Sequence, residues 1–193
     1  MSLKEHPDYL EENQRLKDTI NYVEIAIAAT EQSRKKLKED TMDAYKELNP
    51  QDSNQSYVRI MTNARFLDAL EKNYLGLIRA RKKPYFCRID FRQDGSSEIE
   101  KLYIGKTSLS RVEDNSQLIV DWRAPIASVY YDGRLGHVTY SSPSGTLGGE
   151  LLLKRQYTIN DGKLEGMMDI DITTNDTLLQ AALGESKDNR LKD

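Results

Sequence analysis

Leu16-Lys17-Asp18-Thr19-Ile20-Asn21-Tyr22-Val23-Glu24-Ile25-Ala26-Ile27 is the stretch that decides the fold. Its residues Leu16, Ile20, Val23 and Ile27 lie four, three and four positions apart, the alternation of a helix that keeps one seam toward a partner helix. The same step continues through Thr30, Arg34, Leu37, Thr41, Ala44 and Leu48. A second run repeats it at Ile60, Asn63, Leu67, Leu70, Tyr74 and Leu77. Asn49-Pro50-Gln51-Asp52-Ser53-Asn54 between them is turn-rich and long enough only for a reversal. Pro7 suits a first helical position, with Asp8, Glu11 and Glu12 in the turn where the dipole favours carboxylates. Asp52 followed by Gln55 resembles a capping box for the second helix. Residues 1–83 therefore read as an antiparallel coiled-coil hairpin, an arm roughly 40–60 Å long at ~1.5 Å per residue.

From Tyr85 the period falls to two. Phe86–Phe91, Ile99–Ser108, Leu118–Trp122, Ile126–Tyr131, His137–Ser141, Glu150–Ile159 and Lys163–Met168 read as strands, separated by turn residues such as Asp94-Gly95 and Asn160-Asp161-Gly162. Strands this close, with no helix between them, predict an antiparallel sheet or small barrel over residues 84–174. The fold class is thus α+β. Beyond Thr174 the pattern turns helical again, with Asp176 as a cap and Leu178, Leu179, Ala182 and Leu183 as the apolar stripe. Residues 175–193 are expected to form a short helix and then a polar, truncated linker.

The 193 residues carry a net charge of −3, so the whole-chain balance does not advertise nucleic-acid binding. One cysteine, Cys87, builds neither a disulfide framework nor a thiolate cluster. With His6 and His137 as the two histidines, a histidine metal site or a Ser-His-Asp arrangement is not expected. Gly145-Thr146-Leu147-Gly148-Gly149 lacks the lysine and helix of a phosphate loop, so no catalysis and no bound cofactor is expected of this chain. No apolar run approaches the ~18–20 residues of a bilayer span. A cytoplasmic, monomeric chain is the expectation.

Three clusters invite a functional reading. Asp40, Asp43 and Glu47 place three carboxylates on one stripe near the arm's end, suited to Mg²⁺ or to a basic channel wall. The plainer reading is a solvated face, since Lys36 and Lys46 are within ion-pair spacing. Arg79, Arg81, Lys82 and Lys83 crowd the end of the second helix, where cations complement the dipole; with Lys154 and Arg155 they are the candidate nucleic-acid contacts. Asp121-Trp122-Arg123-Ala124-Pro125 reads as structural: Trp122 in the core, Asp121 and Arg123 paired, and Pro125 ending the strand.

Leu118-Ile119-Val120-Asp121-Trp122-Arg123-Ala124-Pro125-Ile126 with Tyr130-Tyr131 closely resembles the N-terminal region of HelD, a family of superfamily-1, UvrD-like ATPases that bind bacterial RNA polymerase. Lys83-Pro84-Tyr85-Phe86, Arg88-Ile89-Asp90-Phe91, Tyr103-Ile104-Gly105, Gly149-Glu150 and Leu153-Lys154-Arg155-Gln156 follow in the family's order. The resemblance spans about Lys83 to Leu183. It implies an arm that enters the polymerase secondary channel, with a motor domain carrying the ATP-binding loop, ATP and Mg²⁺ after this region. The whole protein would release nucleic acid and recycle polymerase. The alternative is a nucleic-acid-binding accessory domain of a superfamily-1 DNA helicase.

Overall fold

The computed structural model describes residues 2–51 and 54–170. Asp52 of the expected capping box, and the helix and linker expected over 175–193, lie outside the described residues. Two long helices come first, α1 (Tyr9–Lys46) and α2 (Asn54–Lys82). Seven strands follow: β1 (Cys87–Gln93), β2 (Glu100–Gly105), β3 (Leu109–Ser110), β4 (Gln117–Asp121), β5 (Gly136–Ser142), β6 (Gly145–Asn160) and β7 (Lys163–Asp169). A short helix, α3 (Ser128–Asp132), stands between β4 and β5. The class is α+β, a long helical region with a mostly antiparallel sheet.

The helices run antiparallel, because Glu24, Glu31, Arg34 and Asp40 of α1 meet Arg81, Tyr74, Glu71 and Asn63 of α2 in reversed order. The seam positions of both runs are buried or half-buried, except Leu48, which is exposed beyond the end of α1. Polar seam members are satisfied locally. Thr30 and Thr41 donate to the carbonyls of Ala26 and Leu37 one turn back, at 2.8 and 2.7 Å. Arg34 donates to Glu71 at 2.9 and 2.5 Å while lying over the Tyr74 ring. Pro7 sits in a turn ahead of α1 rather than at its first position, with Asp8 as the flanking residue.

The sheet order is β3-β4-β2-β1-β6-β5, with β7 also on β6. It is a mixed sheet and not the wholly antiparallel sheet or closed barrel expected. The excursion after β2 carries β3 to the outer edge, so β4 returns parallel to β2, pairing Ile104 with Val120. The strand expected over Ile126–Tyr131 is helical instead. Pro125 has no N–H for a ladder and its fixed φ opens a helical turn, Pro125–Ala127, which runs on into α3.

Three apolar clusters hold the molecule. One lies on the inner face of the sheet, around Ile89, Phe91, Ile104 and Leu151. A second packs Leu16 of α1 against Tyr85, Tyr103, Tyr157 and Ile159. The third sets Val23, Ile27, Leu77 and Ala80 of the helices on Leu118 and Ile119. Leu102 and Ile104 share the first cluster while Tyr103 faces the second, the alternation a strand requires. Gly105 and Gly76 are among the glycines that allow close approach. A Cβ on Gly105 would stand 2.1 Å from the Pro84 carbonyl oxygen, and one on Gly76 would stand 2.9 Å from the Thr107 hydroxyl.

A buried ion cluster joins α1 to the sheet. Glu12, 1% exposed, accepts from Arg88 Nη1 at 2.5 Å, Arg155 Nη1 at 2.8 Å and the Tyr103 hydroxyl at 3.1 Å. Arg155 also donates to Asp8 at 2.7 Å and to Asp169 at 2.5 and 3.0 Å, and Arg88 to Asp90 at 2.6 and 2.7 Å. Burial works against the charge on Arg155, but the hydrogen bonds to Asp169, Asp8 and Glu12 outweigh it and hold the guanidinium protonated. Burial pushes the Tyr103 hydroxyl up to about 12, so it stays a donor to Glu12.

Arg155→Met leaves Glu12, Asp8 and Asp169 without their shared cation and is expected to cost about 3–5 kcal/mol. A lower urea midpoint at unchanged slope measures it. A midpoint equal to the parent's would show that the cluster is not needed.

Candidate interaction surfaces

At the far end of the helical pair, Arg59 of α2 reaches across to α1. It hydrogen-bonds Asp40 through Nη2 and, at 3.1 Å, through Nε, and it donates to Glu47 at 3.1 Å. Asn63 adds donations to Asp40 at 2.7 Å and to the Thr41 hydroxyl at 3.1 Å. The Arg59 hydrogen bond, seconded by that from Asn63, lowers the Asp40 carboxyl to about 2. Of the three stripe carboxylates, two are thus engaged with Arg59, and Asp43 stays exposed beside Lys46 at 3.6 Å. Among the described residues no group of three His, Cys, Asp or Glu side chains is placed to hold a metal ion.

The same end carries exposed apolar side chains from both helices: Met42 and Tyr45 of α1, and Tyr57, Val58 and Met61 of α2, with Phe66 a little below. Tyr57 and Val58 are 60% and 63% exposed. Sequence reading passed over these residues because it followed the seam. The available signal was large apolar residues off the seam, gathered within residues 42–66.

The basic candidates divide. Arg79, Lys82 and Lys83 are exposed at the end of α2, and Arg81 stands 3.7 Å from Glu24. The β6–β7 turn closes on this end, with Gly162 N–H donating to the Lys82 carbonyl at 2.8 Å. Lys154 and Arg155 are not part of that surface. Arg155 is 2% exposed within the ion cluster. Lys154 is 7% exposed and donates to the Gly133 carbonyl at 2.9 Å over the Tyr130 ring, and burial lowers its ammonium. As consecutive residues of β6 they face opposite sides of the sheet, and both sides are covered, Arg155 by the start of α1 and Lys154 by Tyr130 and Gly133.

Asp121 and Arg123 pair as expected, the Arg123 guanidinium donating at 2.9 and 2.7 Å and its backbone N–H at 2.8 Å. The hydrogen bond from Arg123 holds the Asp121 carboxyl below its ordinary value. β4 already ends at Asp121, however, so Trp122 lies in the following turn and not on the opposite face of a strand. It is half-buried rather than enclosed in the core. Its ring borders an open groove of about 1180 Å³, shared with Pro125, Tyr131, Val138 and Tyr140. The Pro125 turn pulls the chain away from the sheet here and leaves the tryptophan at the rim.

The chain matches the family described as DNA helicase IV HelD, N-terminal domain, over residues 9–182. A search of curated proteins finds no match. No helix among the described residues is long and apolar enough to cross a membrane.

The Asp40 geometry sets an acid dependence. A carboxyl depressed to about 2 in the fold and ordinary when unfolded stabilises the fold above about pH 4, and that contribution is lost as pH falls toward 2. Replacing Arg59→Gln should bring the Asp40 carboxyl back up toward the ordinary aspartate range. A carbon-detected NMR titration of Asp40 in parent and variant reads this directly, and equal midpoints would remove Arg59 as the cause.

Proposed function

The chain belongs to the DNA helicase IV HelD N-terminal domain family, and from that membership we propose that it is the polymerase-docking part of a HelD-type factor. In this reading α1 and α2 act as a coiled-coil arm, attached to the sheet at residues 83–84, that enters the secondary channel of bacterial RNA polymerase in the cytoplasm. The motor that binds ATP and Mg²⁺ lies elsewhere in the full-length protein. There it helps strip nucleic acid and recycle the enzyme.

The observation that carries the reading is the end of the arm. At ~1.5 Å per residue, the 38 residues of α1 reach about 57 Å. Exposed Met42, Tyr45, Tyr57, Val58 and Met61 collect at the end farthest from the sheet. Aromatic and methionine side chains are the types enriched at protein interfaces. The Arg59 bridge to Asp40 and Glu47 sets the register of the two helix ends, so residues of both helices contribute to one surface.

Capture of core polymerase by the tagged chain tests it. Tyr57→Ser with Val58→Ser should weaken capture about tenfold or more, as loss of interface anchors does. Removing one heptad from each helix near the turn should abolish it while the sheet stays folded. Added salt should change capture little. Undiminished capture by both variants would overturn the reading. A steep salt slope on nucleic acid, with no polymerase captured, would favour the accessory-domain alternative through Arg79, Arg81, Lys82 and Lys83.

A further inference from the structure

The groove beside Trp122 has a second wall, and its chemistry is that of a backbone. Strand β5 stands at the end of its sheet, with β6 on one side and no strand of the described residues on the other. Ser142 and Gly145 close the β5–β6 hairpin over a two-residue turn. Such a closing pair is hydrogen-bonded, and bonded and non-bonded pairs alternate from it. Thr139 opposite Gly148 is therefore a non-bonded pair. The Gly148 carbonyl agrees: it accepts from Asp94 N–H at 3.0 Å, on the side away from β5. It follows that His137, Thr139 and Ser141 turn their N–H and C=O groups outward.

Those groups face the groove. The five consecutive residues from His137 to Ser141 line it, as an open strand edge does and a covered one does not. Val138 and Tyr140 turn their half-buried side chains toward the core, while His137, Thr139 and Ser141 are exposed. Trp122, Pro125, Val129 and Tyr131 form the opposite wall. Arg134 is exposed on the rim and makes no ion pair with another described residue. Asp132, the carboxylate of the lining, lies near the buried Lys154 ammonium.

We propose that β5 accepts an extended peptide strand from a protein partner, hydrogen-bonded along His137–Ser141, with apolar residues at alternate positions and a carboxylate toward Arg134. A strand at the usual spacing of ~4.8 Å would send every second side chain inward, between Val138 or Tyr140 and the Trp122 wall. An alternating row of donors and acceptors demands a partner with the same alternation. A peptide backbone has it, whereas a phosphodiester chain offers acceptors alone.

Trp122 is the single tryptophan of the chain, so its fluorescence reports on the groove directly. The probe is a blocked octapeptide alternating valine and threonine between two terminal glutamates, titrated into the intact 193-residue chain. A saturable shift of emission to shorter wavelength is expected. Arg134→Glu should weaken binding about tenfold. Thr139→Pro should abolish it, because proline is tolerated where an edge N–H faces outward yet supplies no donor. The same peptide N-methylated at every amide should also fail, which keeps the test decisive if Thr139→Pro lowers the melting temperature. No saturable change at millimolar peptide, or equal binding by the N-methylated peptide, overturns the proposal. So does an eight-thymidine oligonucleotide that shifts Trp122 equally in parent and Thr139→Pro, which would assign the groove to nucleic acid.

Discussion

Glu12 is a carboxylate with almost no access to water, and the placement of α1 depends on how it is satisfied. An isolated buried carboxylate costs several kcal/mol, and attraction offsets that only when the geometry is good and the remaining lone pairs are used. Here both oxygens are used. One accepts from Arg88 and Arg155, and the other from the Tyr103 hydroxyl. The two arginines are completed by Asp90, Asp8 and Asp169 in turn. Because these groups come from the start of α1 and from β1, β2, β6 and β7, the cluster is satisfied only when the helix sits at one rotation and one height on the sheet. Apolar contacts around Leu16 and Val23 supply the driving force, but they tolerate small slips that the charges do not.

Farther out the pairing changes character. Near the sheet the seam is Leu16, Val23, Ile27 and Leu77, all buried. Beyond Thr30 the buried Ala44 and Ile60 are joined by polar pairs, Arg34 with Glu71, Arg59 with Asp40 and Glu47, and Asn63 with Asp40. These bridges are partly exposed, so screening keeps each of them weak. They fix register more than they add stability. The outer part of the helical pair is therefore the softer part, and exposed apolar side chains of both helices gather at its end.

The helices and most strands were legible because their apolar periods are long and unbroken. The Asp121–Arg123 pair was legible because its two members lie within one turn of chain. What was not legible depends on partners distant in sequence. The parallel pairing of β4 with β2 depends on where β3 is sent. The helical turn at Pro125 overrode an apolar pattern that fits a strand equally well. Asp40 and Glu47 read as a free acidic stripe because their cation is contributed by the other helix, 19 and 12 residues away. Lys154 and Arg155 read as surface cations, since a charge is ordinarily exposed unless paired. Nothing in their neighbourhood along the chain names Asp8 or Glu12, some 140 residues earlier, as the pair.

Several residues of the stretches that carry the family resemblance seat the helices. Gly105 must lack a side chain because the Pro84 carbonyl stands in its place, and its own carbonyl accepts from Trp122 N–H at 2.9 Å. The Tyr85 and Tyr103 rings pack at a tilt beneath α1 with centroids 4.8 Å apart, and the Tyr157 ring meets Tyr85 edge-on at 5.3 Å. Arg88 and Arg155, each within a family motif, hold Glu12. Close backbone approach, ring packing and buried charge each allow few substitutions, so such positions make a readable signature. The outer end of the helical pair has none of these constraints. Its exposed side chains are free to vary while the seat below them stays fixed, and so the signature reports how the helical pair is mounted and says little of its outer end.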